Sequence, residues 1–439
     1  MPTAGGSDAK TFMCQGSGSG SSNVKDLTGG FKGCSGVFKI YKHPAEQDLA
    51  KFAMTMFANK YATLACDSRN MANSPSTHTI KTGVTSSTTV YRDITASVSF
   101  GGRQSGGAVH GFVQAIQLDE VYRVCFAAED NESVGMIEAR YNALLEGHNF
   151  FQGQSLRYSG EGVEFIPTPA TVMADAILPA ETLKEYDLNV IQFLTREDLQ
   201  AITKKRGIIL HGPPGTGKTT SVKAMFHVLK DAGVTCVYIS DASFIRHSVE
   251  EVFSFINTYL APCLVVFEDI DLIAADRRTN SSRIIGPLLS AMNGIEETSK
   301  PLVILATTNR PEILDAAVTR PCRFDRKILI DYPTTEELNR LFRKIAGFAA
   351  PKDLLVQPAA ADKKLTGAHV EELYRTAALT ARQTKRSTKE CVVEALETVQ
   401  RHFMLVSPRT VQGFQDDQEE AGLDDRPRAL RPQAPDQFR

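Results

Sequence analysis

Several absences bound this chain. No run of 18 apolar residues occurs and no charged-then-apolar leader opens it, so the sequence gives no signal for a membrane anchor or for export. The eight cysteines, Cys14, Cys34, Cys66, Cys125, Cys236, Cys263, Cys322 and Cys391, form no C-x-x-C pair. They indicate neither a zinc site nor a disulfide framework, and the simplest compartment for such scattered thiols is reducing and cytoplasmic. There is also no basic surplus: 49 Lys and Arg stand against 51 Asp and Glu, for a net charge of -2. That balance argues against a nonspecific nucleic-acid binder, which needs a basic surplus or a clustered basic face.

What is present is ordinary for a globular protein. Hydrophobic residues make up 42% and charged residues 23% of 439 positions, too many for one core, so two or three domains are expected. Residues 1–36 are rich in Gly, Ser and Thr and carry too little apolar surface to pack, which predicts a flexible arm. From Pro44, apolar residues at Leu49, Phe52, Met56 and Phe57 follow helical spacing. Period-two alternation at Ile94, Ala96, Val98 and Phe100, a glycine-rich hairpin tip over 101–107, and apolar stretches at 109–116 and 121–126 predict strands. A helix over 132–146 and a last strand over 163–166 complete a small α+β domain spanning 37–168. It shows no catalytic constellation.

A connector over 169–206, with a helix near 180–193, leads into a different pattern. Short apolar strands at 208–210, 236–239, 264–267, 302–306 and 328–330 alternate with helical segments. That repetition predicts an α/β core, a five-stranded parallel sheet covered by helices on both faces, over 207–335. Residues 336–407 read as a helical lid broken at Pro351 and Gly367, and 408–439 as a disordered charged tail.

One stretch carries chemistry on its own. Gly212-Pro213-Pro214-Gly215-Thr216-Gly217-Lys218-Thr219-Thr220, preceded by the apolar run 208–210, is strand, glycine loop and helix in the G-x-x-x-x-G-K-[ST] pattern. Such a loop aims unpaired N–H groups and the positive end of a helix at a phosphate chain. Lys218 is expected on the β- and γ-phosphates of ATP and the Thr219 hydroxyl on Mg2+. The strand Leu264-Val265-Val266-Phe267 ends in Glu268-Asp269-Ile270-Asp271, which sets carboxylates at the carboxyl edge of the sheet. One acid there suits the metal and the next the attacking water.

From about 175 to 404 the chain resembles the AAA subgroup of AAA+ ATPases. The resemblance implies that Asn309, in Thr307-Thr308-Asn309-Arg310-Pro311, contacts the γ-phosphate or the lytic water. It also implies that Arg320 and Arg323, in Thr319-Arg320-Pro321-Cys322-Arg323-Phe324-Asp325, act as arginine fingers on a neighbour's nucleotide. Gly367 and Ala368 resemble the sensor-2 segment, packing near base and ribose, where clamp loaders carry an arginine; this speaks against DNA loading. Two departures point to one branch. The strand-end acids read Glu268-Asp269 where most of the family has the reverse, giving Glu268 the metal role and Asp269 the water. The segment 240–251 also lacks the aromatic-aliphatic-Gly triplet of threading unfoldases. Both features are similar to the branch of the mitochondrial complex III assembly chaperone and its soluble bacterial relatives. The resemblance implies a homo-oligomeric, hexameric ring that uses ATP to remodel protein clients; residues 37–168, which resemble no known family, are expected to select the client, and no membrane anchor is expected. A regulatory switch or assembly scaffold is the main alternative, and a nucleic-acid motor the lesser one.

Overall fold

A computed structural model of the chain describes residues 10–13, 35–64, 75–101, 108–160, 162–173, 176–239, 249–271, 300–311, 323–358 and 364–404. It divides into two compact units, Met1–Asp331 and Tyr332–Arg439.

The first unit holds two seven-stranded sheets. The antiparallel one is built from β1 (Lys10–Met13), β2 (Ser35–Tyr41), β3 (Ala62–Leu64), β4 (Ser76–Lys81), β5 (Ser87–Gly101), β6 (Ala108–Leu118) and β7 (Val121–Ala128), in spatial order β1-β2-β7-β6-β5-β3 with β4 on β5. Two helices, α1 (Pro44–Tyr61) and α2 (Asn131–Gly147), cover one face. Strand β7 alternates half-buried and buried residues along its whole length, the period expected when only one face meets a core. Tyr122, Val124 and Phe126 from β7 pack with Val113, Val98, Phe57 and Tyr141. Each buried aromatic here contributes about 2–3 kcal/mol. Gly111 of β6 lets both β7 and α2 come close: a Cβ there would sit 2.5 Å from the Ala127 carbonyl oxygen and from Ile137 Cδ1. Asp130 starts α2 as an N-cap, accepting from the Ser133 amide at 2.8 Å.

The second sheet uses β8 (Ser155–Ser159), β9 (Gly162–Phe165), β10 (Lys205–His211), β11 (Thr235–Ile239), β12 (Cys263–Phe267), β13 (Leu302–Thr308) and β14 (Arg326–Leu329). Its order is β14-β10-β13-β12-β11-β8-β9, parallel throughout except for the terminal β8–β9 pair. Successive residues of one strand face different cores. Ile209, Val265 and Ile304 join the core that includes α1 and α2, while Leu210, Leu264, Val266 and Leu305 join a second core with Tyr186, Val222 and Phe226. Strands buried on both faces read as continuous apolar runs, which is why β10, β11, β12 and β13 are plain in the sequence; β14, at the sheet's edge, is mostly exposed. Helices α3 (Ala180–Tyr186), α4 (Lys218–Asp231) and α5 (Val249–Phe255) flank the sheet; α3 runs on through a π-helical stretch, Asp187–Gln192, and α5 through another, Ile256–Leu260.

Three sequence expectations change. The sheet has seven strands where five were expected, because β8 and β9 extend its edge: Val237 of β11 pairs with Leu156 of β8. The boundary at 168 therefore falls after a hairpin that belongs to the parallel sheet, and the shared core leaves no break there. The segment 1–36 is also not wholly an unpaired arm, since Lys10 to Met13 pair with β2, which itself crosses the expected boundary at 36. Polar β8, Ser-Leu-Arg-Tyr-Ser, shows too little apolar pattern to be read as a strand; long-range pairing decides it.

The second unit contains α6 (Thr335–Ala346), α7 (Gly367–Thr384) and α8 (Thr388–Met404), packed through Leu338, Phe342, Leu373, Ala377, Cys391 and Ala395. Helix α6 opens with a capping box: Thr334 Oγ1 accepts from the Glu337 amide at 3.2 Å, and Glu337 Oε2 accepts from the Thr334 amide at 2.8 Å. Helix α6 ends at the left-handed Gly347, before Pro351; the next lid helix begins at Gly367 and ends at the left-handed Lys385. The hairpin tip 102–107 and the tail 408–439 lie outside the described residues.

Candidate nucleotide site

Strand β10 lies between β13 and β14, whereas the next strand in sequence, β11, lies beyond β12. The chain thus reverses its winding at β10, and in open parallel sheets the crevice at such a switch point, beyond the carboxyl ends of the strands, takes the ligand. The glycine loop leaves β10 at that place. Gly212, Gly215 and Gly217 hold φ of 150°, 75° and 105°, conformations that favour glycine. At Gly212 a Cβ would stand 2.0 Å from the Ile330 carbonyl oxygen, so sterics require glycine as well. Gly217 has nothing within 4 Å of the Cβ position, leaving open space over the loop, and its left-handed residue starts α4.

Lys218 is 6% exposed and donates to the carbonyls of Gly212 at 2.7 Å and Pro213 at 2.8 Å. Burial lowers the pKa of its ammonium, while Asp269 and Asp271 act in the opposite sense. Thr216 Oγ1 ties the loop to the Pro213 carbonyl at 2.9 Å. The Thr219 hydroxyl donates to Glu268 Oε1, joining the start of α4 to the end of β12. One residue on, Asp269 has a φ of 47°, and its amide donates to Thr307 Oγ1 at 2.9 Å. Asn309 Nδ2 donates to Asp269 Oδ1 at 3.2 Å. Burial raises the pKa of the Asp269 carboxyl, Asp271 adds to the rise and Lys218 opposes it. Asp271 is 5% exposed, and its Oδ1 has no hydrogen-bond partner among the described residues.

The first unit therefore brings residues 212–220, Glu268, Asp269 and Asn309 to one sheet edge. These groups fit ATP and Mg2+: glycines free the loop amides, a buried ammonium stands beside them, and a hydroxyl and a carboxylate offer hard oxygens. Mg2+ held there would need its other ligands from outside the protein, since it usually keeps several waters and substrate phosphates. Among the described residues there is no group of three or more His, Cys, Asp or Glu that could hold a metal ion.

A family model for the ATPase family associated with various cellular activities (AAA) matches residues 208–332. The chain carries an AAA ATPase domain. The ATP-dependent zinc metalloprotease FtsH of Helicobacter felis is 30% identical over 256 residues, 52% of this chain and 39% of that protein. FtsH of Marinobacter nauticus is 33% identical over 234 residues, covering 48% and 36%. The chloroplastic FTSH 2 of Arabidopsis thaliana is 32% identical over 209 residues, covering 44% and 30%. The chain spans about two fifths of the length of the first of these relatives.

Of the other expected AAA site residues, Arg323 lies half-buried just before β14, and Arg320 lies outside the described residues, as does the segment 240–248. Gly367 and Ala368 form the first turn of α7 in the second unit, behind a cap in which the Thr366 amide donates to His369 Nδ1 at 2.8 Å. Sequence reasoning missed three supports of the AAA site. Gly207, inside β10, lets the chain at 323 pass: a Cβ there would lie 1.7 Å from the Arg323 carbonyl oxygen. A glycine in a strand interior is its signal. Thr307 holds Asp269, and buried Tyr186 braces α4 through Ser221 Oγ at 3.2 Å. Nothing local announces Tyr186, whose partner lies far along the chain.

Proposed function

We propose that this protein is a Mg2+-dependent ATPase that works in the cytoplasm as a homo-oligomeric, hexameric ring and remodels protein clients. The observation that supports the chemistry is the hydrogen-bonded edge formed by Thr219 with Glu268 and by Asn309 with Asp269, beside the buried ammonium of Lys218. Mg2+, when bound by Thr219 and Glu268, neutralises charge on the β- and γ-phosphates. Lys218 exchanges the carbonyls of Gly212 and Pro213 for phosphate oxygens, which restores full pairing to a buried cation. Asp269 accepts the proton of the attacking water at its carboxylate. Its raised proton affinity suits a base, and Asn309 and the Thr307 hydroxyl fix its position. Arg320 and Arg323 reach the γ-phosphoryl group of the neighbouring subunit, where negative charge spreads in the transition state. A finger of this kind makes the site composite, and the ring follows from it.

The sheet-and-helix domain before the ATPase core selects the client. Among the described residues no helix is long and apolar enough to cross a membrane. The test is phosphate release by the full chain with ATP and Mg2+, with and without protein clients. Asp269→Asn is expected to bind nucleotide and to lose turnover by about 10²–10⁴-fold; unchanged turnover overturns the assignment of the base. Mixing Asp269→Asn with Arg323→Ala should recover activity at hybrid interfaces, and a silent mixture refutes the composite site. Salt-sensitive stimulation by DNA or RNA would favour a nucleic-acid motor. Equal client binding before and after hydrolysis would favour a switch or scaffold.

A further inference from the structure

The segment that carries Arg323 is fastened at each of the residues that follow it. Phe324 is buried in the core that holds Val265 and Ile304. Asp325 turns to β10: its Oδ1 accepts from the Gly207 amide at 3.3 Å, and its Oδ2 stands 3.7 Å from Arg206 Nη1. Arg326, the first residue of β14, reaches the other way to α3, where its Nε donates to Glu185 Oε2 at 2.8 Å and its Nη2 donates to Glu185 Oε1.

Glu185 is itself held. Buried Asn189, on the π-helical stretch after α3, donates through Nδ2 to Glu185 Oε2 and to the Glu185 carbonyl, both at 2.9 Å. The next residue, Tyr186, is fully buried and seats α3 on α4 through Ser221 Oγ at 3.2 Å. A guanidinium paired with both oxygens of a carboxylate is fixed in direction as well as in distance. Here both partners stand on firm supports, β14 hydrogen-bonded along β10 and α3 on α4. Hydrogen bonds from Arg326, opposed by burial and assisted by the Arg326 and Arg206 charges, hold the Glu185 carboxyl below its usual range, so the pair is charged at neutral pH. The Arg326 and Glu185 side chains are 47% and 33% exposed, and ion pairs that exposed add little to folding stability. What the pair does is fix the course of the chain three residues after Arg323.

We propose that Glu185 is a positioning residue: through Arg326 it sets the backbone at 323 so that the Arg323 guanidinium meets the nucleotide of the neighbouring subunit. This rests on the reading of Arg323 as a finger that acts across the subunit boundary. Without Glu185 the segment keeps only the hold of Phe324 and Asp325. Misplacing a group that must meet the reacting atoms by about 1 Å costs up to about 10²-fold in rate.

In the full chain, Glu185→Ala is expected to lower ATP turnover about tenfold. ADP lacks the γ-phosphate that the finger meets, so its affinity should stay within about twofold of the parent, and the thermal midpoint should move by less than about 3 °C. Glu185→Gln, which keeps a contact for Asn189 and loses the charge, should fall between the parent and Glu185→Ala. Mixed subunits separate positioning in trans from local damage. Glu185→Ala subunits keep Asp269 and Asp269→Asn subunits keep the clasp, so mixing the two should recover turnover at hybrid interfaces. Glu185→Ala mixed with Arg323→Ala should stay low, because both lack a working finger. Parental turnover in Glu185→Ala, weakened ADP binding, or a mixture with Asp269→Asn no more active than its parts overturns the proposal. The mixture of Arg323→Ala with Asp269→Asn tells the two readings apart. If it recovers while Glu185→Ala turns over like the parent, only the positioning role fails; if it is silent, the composite site fails and the positioning role with it.

Discussion

The two sheets of the first unit have the same number of strands and opposite designs. In the antiparallel sheet, β7 alternates buried and half-buried residues, because α1 and α2 cover one face only. In the parallel sheet, β12 and β13 are buried at every position, and their side chains divide between two cores. The difference explains where chemistry can reside. A strand apolar on both faces tolerates polar groups only at its ends, so Glu268, Asp269 and Asn309 stand out at the carboxyl edge next to the glycine loop. An alternating strand carries polar groups along its length, and none of them marks a site.

The contrast can be tested from its largest expected effect downward. Asp269→Asn, at a strand end, should lower turnover by about 10³-fold, about 4 kcal/mol in the barrier, while thermal unfolding stays nearly unchanged. If unfolding shifts as much as turnover falls, the strand end is structural and the contrast fails. Gly207→Ala, within β10, should cost about 3 kcal/mol of stability, because a Cβ would stand 1.7 Å from the Arg323 carbonyl. Denaturant unfolding measures this, and a variant as stable as the parent would show that the segment at 323 can move away freely.

Core truncation then compares the sheets directly. Ile304→Ala, fully buried in β13, should cost about 3 kcal/mol. Ile40→Ala, half-buried on the face of β2 away from the helices, should cost about 1 kcal/mol. Equal losses would mean that the second face of the antiparallel sheet is as well packed as the first. In the second unit, Thr334→Ala removes the cap of α6 and should cost about 1 kcal/mol in thermal unfolding. Gln114→Ala, whose side chain only reaches Thr95 Oγ1 at 3.4 Å, should stay within about 0.5 kcal/mol.

Much of this was legible beforehand, for identifiable reasons. The glycine loop is a contiguous motif, and the strand-end acids follow an apolar run, so both can be read locally. Helix α1 and strands β6 and β7 show their periods because one of their faces meets a core. What escaped notice depends on distant partners. Strand β8 is polar and joins the parallel sheet only by pairing with β11, some eighty residues on. Tyr186 supports α4 through Ser221, and the Asp269 amide takes Thr307 across the sheet. Lys218 was expected to face phosphate, and in the structure its ammonium is held by two loop carbonyls, so the proposed phosphate contact requires an exchange of partners.

By itself, then, the sequence determined that a phosphate-binding loop opens a helix after a buried strand, and that acids follow another such strand, because those features require only neighbouring residues. The tertiary structure decided that these pieces meet at the carboxyl edge of the sheet beside the end of β10, that the parallel sheet has seven strands, and that one core runs through both sheets. Strand order and shared burial are set by which apolar faces can be covered together, and no local stretch of chain contains that information.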